Sequence, residues 1–176
     1  MHRDLSICSN PLSDLGLCGH AMAAEMDPPL DLSAAPGDDA LVRLLVEAMP
    51  VLKESRFTRW PDDPPWQTGA GHWEAIPQLE LARRVLVHCC WRNLAYPSTQ
   101  EMPYAQARGH ADRFIRALPP ETRILTNASL HQVLDEDGNR DGGYSWSSLV
   151  TSHTFEVDVA FFTGEVLYLF VFIAED

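Results

Sequence analysis

The chain has 176 residues, 45% of them hydrophobic and 22% charged, and a net charge of −12. That length can bury a full single-domain core, and the balance is that of an ordinary soluble globular protein. The acidic excess argues against non-specific nucleic-acid binding, which needs a basic surface.

Residues 1–36 carry weak periodicity and many Pro, Ser, Gly and Asp residues. They are expected to form a poorly ordered extension ahead of a single domain over 37–176. Met22 and Met26 are alternative starts. No continuous apolar core follows Met1-His2-Arg3, so a signal peptide is a poor fit. Cys8, Cys18 and His20 match no usual zinc spacing and lack a fourth ligand.

A first helix is predicted from about Asp38 to Lys53. Asp38 and Asp39 favour its positive end, and Leu41, Leu44, Leu45, Ala48 and Leu52 form its core stripe. Pro50 should kink or end it near Met49. A Pro- and Trp-rich connector follows, carrying Trp60, Trp66 and Trp73. Three indoles in an irregular loop either clamp it to the core or serve as binding anchors.

The second helix is predicted from about Pro77 to Leu94. Leu79, Ala82, Val85, Leu86, Cys89 and Cys90 gather on one side, with Arg84, His88 and Trp91 opposite. That second stripe reads as an ordinary outer face or a contact patch. The third helix, from about Pro103 to Leu118, buries Tyr104, Ala107, Ala111, Phe114, Ile115 and Leu118. Arg108 and Asp112 make an i,i+4 pair on it, and Pro119-Pro120 ends it. Arg123 to Thr126 reads as a short strand, and Ala128 to Leu134 as a turn of helix or another strand.

The closing segment is a β-hairpin. Phe155, Val157, Val159 and Phe161 alternate with Thr154, Glu156 and Asp158, the period of a strand with one buried face. Thr163-Gly164 supplies the turn. Val166 to Ile173 is apolar on both faces, so it belongs in the centre of a sheet with helices against it. The run is too short to cross a membrane as a helix. The fold class is α+β: three main helices packed on a small, mostly antiparallel sheet that ends in this C-terminal hairpin.

The charge is uneven along the chain. Residues 1–75 hold 12 acids and 5 bases, residues 76–123 hold 4 and 7, and residues 124–176 hold 9 and 1. Lys53 is the only lysine against twelve arginines, a bias suggesting a GC-rich, bacterial coding sequence. Cys89 and Cys90 read as small core residues. The four cysteines form no disulfide framework, which makes a reducing cytoplasm the default.

Asp137, Asn139, Asp141 and Gly142 match the first half of a calcium loop. The twelfth position is Ser148 where a bidentate Glu is expected, so a solvated acidic turn explains the string equally well. Glu156 and Asp158 share a strand face about 7 Å apart, a spacing that suits acid–base or metal chemistry. Polar residues are expected anyway on the wet side of a half-buried strand, and His153 lies on the opposite face. No GxSxG, phosphate loop or GxGxxG is present.

The leading expectation is a small acidic cytoplasmic binding protein of the inhibitor or immunity type, occluding a basic toxin or enzyme and needing no cofactor. Its contacts would come from Trp60, Trp66, Trp73, Arg84, His88, Trp91, Glu156 and Asp158. A second expectation is a hydrolase or metal-dependent enzyme at Glu156 and Asp158, with His153 or the 135–142 loop. It requires a pocket and shifted carboxylate pKa values. A third is a calcium-stabilised structural module.

Overall fold

The structure is a computed structural model that describes residues 4–7, 19–55 and 66–174. Six strands form one sheet: β1 (Asp4–Ile7), β2 (His20–Asp27), β3 (Glu74–Ala75), β4 (Arg123–Thr126), β5 (Phe155–Phe162) and β6 (Val166–Ala174). Their order is β1-β2-β6-β5-β4-β3, and every neighbouring pair is antiparallel. Three helices accompany them: α1 (Asp38–Ser55), α2 (Leu79–Trp91) and α3 (Tyr104–Ala117). A short 3₁₀ turn spans Ser129–Gln132. The chain is therefore α+β with a C-terminal hairpin, as its periodicities predict.

The hairpin sits at the middle of the sheet because β6 is apolar on both faces. Leu167, Leu169 and Val171 pack with Leu41, Leu45 and Leu52 of α1. Phe170 and Phe172 pack on the other face, with Leu86 of α2 and Phe114 of α3. Gly164 takes φ 96° in the turn, and the Thr163 hydroxyl accepts the Val166 N–H at 3.1 Å.

Residues 20–27 depart most from expectation. They are not an extension but β2, paired with β6 from His20 opposite Val171 to Glu25 opposite Val166. An apolar central strand must fill both of its ladders, since unpaired buried backbone groups are costly. HAMAAEMD supplies the second ladder, and fully buried Ala23 and Ala24 take little room between the layers. Residues 1–3 and 8–18 lie outside the described residues. So does Trp60 in the connector, together with Cys8 and Cys18.

Helix α1 also runs past Pro50 to Ser55. Pro50 is exposed, and the last turn is held from beyond it. The Ser55 hydroxyl accepts the Ala23 N–H at 3.0 Å and donates to the Leu52 carbonyl at 2.9 Å. No helix among the described residues is long and apolar enough to cross a membrane.

One amide joins β4 to β5. Asn127 accepts the Asp158 N–H at 2.7 Å and donates to the Ser147 and Glu156 carbonyls at 2.7 and 3.3 Å. A carboxylate there cannot donate, so Asn127→Asp would leave two carbonyls without their donor. We expect it to lower stability by about 2 kcal/mol in urea melts, whereas Asn127→Ser should cost less.

Candidate functional site

The calcium-like string folds around Asp135. Its Oδ1 accepts the N–H groups of Asp137 and Asn139 at 3.0 and 2.7 Å, and its Oδ2 accepts the Asn139 amide at 3.0 Å. Gly138 takes φ 79°, and the Tyr104 hydroxyl donates to Asp137 Oδ1 at 3.0 Å. The loop is thus closed by its own hydrogen bonds, an Asx-type turn. Among the described residues, Asp137, Asn139 and Asp141 join no group of three or more acidic, histidine or cysteine side chains able to hold a metal.

That loop lies over α2, which corrects the reading of Arg84, His88 and Trp91 as an outer face. His88 is 1% exposed, and its Nδ1 donates to the Gly138 carbonyl at 2.9 Å. Burial is the main force pushing its pKa down to about 4, with Arg140 and Arg92 also opposing a charge there. Arg84 reaches the Leu134 carbonyl at 3.5 Å. Trp91 is buried, edge-on to Tyr104 at 4.9 Å, with the Arg92 guanidinium over its ring at 3.7 Å.

The described tryptophans are all in use inside the fold. Trp73 is buried and donates to the Gly69 carbonyl at 2.9 Å. Trp66 stands edge-on to His20 at 5.4 Å, with Lys53 Nζ 5.9 Å from its ring. Trp146 stacks on Phe155 at 5.0 Å and donates to the Thr154 carbonyl. Clamping, not display, is their role here.

Glu156 and Asp158 require the largest correction. Both are 0% exposed, so neither lies on a wet strand face and neither can touch a docking partner. Glu156 Oε1 accepts the N–H groups of Leu149 and Val150 at 2.6 and 2.9 Å, and Oε2 accepts the N–H of Thr151 at 2.7 Å and its hydroxyl. Four converging donors suit a buried carboxylate. Among the described residues, no donor reaches either oxygen of Asp158. Burial above all, then the neighbouring Glu156, pushes its pKa well above the usual carboxylate range. Both causes favour the protonated form of Asp158, which can donate toward Glu156.

The pair therefore carries the shifted carboxylate an enzyme reading requires, but both side chains are closed off from solvent. A cleft of about 500 Å³ runs past Gly19, Arg92, Glu101, His153 and Phe172. A second, of about 330 Å³, is lined by His88, Arg92, Pro97, Ser98, Asn139, Arg140 and Gly142. Neither carboxylate lines either cleft. Glu156 holds the 149–151 loop, and that loop holds the connector: Gln67 and Gly69 donate to the carbonyls of Val150 and Leu149, each at 2.8 Å.

Cys89 and Cys90 are buried free thiols, and burial pushes the Cys89 thiol up, as inert core cysteines require. Two features escaped sequence reasoning. Asn127 gives no local signal, because its partners lie 20 to 31 residues away. Arg92 and Arg140 are 48 positions apart and meet only through the fold of the 134–142 loop. Comparison with protein-family models, with curated proteins and with solved structures finds no match to this chain.

Proposed function

We propose that the chain is a protein-binding module of the inhibitor or immunity type, presenting the hairpin-turn end of its sheet to a basic partner. The observation that carries this reading is a like-charge pair. Asp4 stands directly opposite Asp27 in the β1–β2 ladder, an arrangement that works against folding. The same end gathers further exposed acids. Glu165 occupies the β5–β6 turn, where its carbonyl takes the Met26 N–H at 2.8 Å, and the Leu30 N–H bonded to Gly164 brings Asp31 alongside. Repulsion kept at one end of a −12 protein suits electrostatic steering toward a positive surface. The tryptophan anchors expected from the sequence do not support the reading, since those described are spent internally.

A charge-reversed variant, Asp27→Lys with Glu165→Lys, separates docking from folding. Removing the repulsion should raise the melting temperature by about 1–2 °C. The same change should slow association with a captured partner by about tenfold and flatten its dependence on salt. Recovery of no protein partner from native lysate, together with failure to rescue cells from any toxin encoded beside it, would end the proposal.

A further inference from the structure

The 330 Å³ cleft is a concentration of positive charge in a strongly acidic protein, at the C-terminal end of α2. Arg92 and Arg140 both line it. Among the described residues neither guanidinium has a carboxylate partner; each is held by an aromatic ring, Arg92 over Trp91 at 3.7 Å and Arg140 over Tyr144 at 5.3 Å. A guanidinium stacked by its face keeps its N–H edge for an in-plane acceptor. The chain has 25 acids that might have neutralised these two cations, and none in the described structure does.

Beneath the floor of the cleft lies a third group. His88 is 1% exposed, and its Nε2 has no hydrogen-bond partner. Nδ1 faces a carbonyl, which can only accept, so Nδ1 carries the proton and Nε2 presents a bare lone pair. Ser98 adds a hydroxyl at the rim. The cleft thus offers two cationic forks and, closed off from solvent beneath them, one acceptor that a ligand meets only by displacing the groups over it. A carboxylate or sulfate satisfies the forks but has no proton for Nε2 at neutral pH. A phosphate monoester satisfies both, because its second pKa near 6 leaves an O–H on part of the population.

We infer that this cleft is a binding site for a phosphate group, carried by a small monoester or as the free ion, with Arg92 and Arg140 gripping its oxygens and His88 Nε2 accepting a hydrogen bond from its acid O–H. The site is independent of the acidic sheet end and stands whether or not that end docks a protein.

The test is calorimetric titration of the full chain with inorganic phosphate and with phenyl phosphate, using sulfate and acetate at matched ionic strength as controls. Saturable binding of phosphate, with sulfate weaker by about tenfold or more, is the expected result. Tighter binding of phenyl phosphate would identify an organic monoester as the ligand, and tighter binding of inorganic phosphate the free ion. Arg140→Gln, on the loop, should fold normally and weaken phosphate by about tenfold, as should Arg92→Gln. His88→Asn should abolish the preference for phosphate over sulfate. Absence of saturable phosphate binding, equal affinity for sulfate, or full affinity in a correctly folded Arg140→Gln protein would each overturn the site.

Discussion

Glu156→Gln should destabilise the protein by about 3 kcal/mol, lowering its melting temperature by roughly 10 °C. The change conserves shape and removes only charge and one acceptor. The amide oxygen of Gln can still take the N–H groups of Leu149 and Val150, now without the strength that a full charge lends. The amide nitrogen then faces the Thr151 N–H, which can find no other acceptor in a side chain 0% exposed to water. The Thr151 hydroxyl can rotate to accept, so Thr151→Val should cost only about 1 kcal/mol. Loss should spread along the hydrogen bonds that tie Gln67 and Gly69 to the loop. Amide exchange at 149–151 and at 67–69 should accelerate together, ahead of β5 and β6. A variant melting within about 2 °C of the parent would show that the loop is held by something other than this carboxylate.

The buried carboxylates also show where a sequence stops speaking. The hairpin was legible because its arms follow period two and Gly164 marks the turn. The stripes of α1 and α3 were legible for the same kind of reason, since 3.6-residue spacing survives in any context. Alternation along β5 assigned the two faces correctly but not their surroundings. Glu156 and Asp158 do lie opposite Val157 and Val159, yet α1 and the 149–151 loop cover the polar face as well. A charged residue normally marks water because burying it alone is prohibitive. The backbone N–H groups that lift this penalty carry no residue identity and leave no trace in the sequence.

A similar limit hid β2 and the two-arginine cleft. Ala, Met and Glu in HAMAAEMD favour helix by propensity. Pairing with an apolar central strand overrides that preference, a decision taken some 150 residues further along the chain. From the sequence His88 reads as part of an outer face or a contact patch, because its helix face is polar, while the residue that covers it, Gly138, lies 50 positions away. Local pattern therefore identified the elements and their apolar stripes. It could not identify contacts between polar groups from distant segments, and the candidate cleft joins Arg92 and Arg140 from two such segments.

Asp158 offers the sharpest measurement on this core. Its carboxyl titrates higher in the folded chain than its ordinary value, so the folded state keeps a proton that the unfolded chain releases above about pH 4. Folding takes up that proton, and stability must fall as pH rises, by about 1.4 kcal/mol per pH unit between the unfolded and folded pKa values. Below about pH 4 both states are protonated and the stability is whole. Asp158→Asn removes the titration while keeping a donor toward Glu156. Its second amide hydrogen lacks an acceptor, so at pH 4 the variant should be level with the parent or weaker by about 1 kcal/mol. As pH rises above about 4 the parent should lose ground and the variant should not, so the gap moves in the variant's favour until the folded carboxyl itself ionises. Carboxylates remote from the pair see the same surroundings in both proteins and drop out of the difference. Urea melts at four pH values between 4 and 7.5 read the slope directly. Parallel stability curves would mean that Asp158 holds no proton that the unfolded chain gives up, and that the two carboxyls are buried as anions.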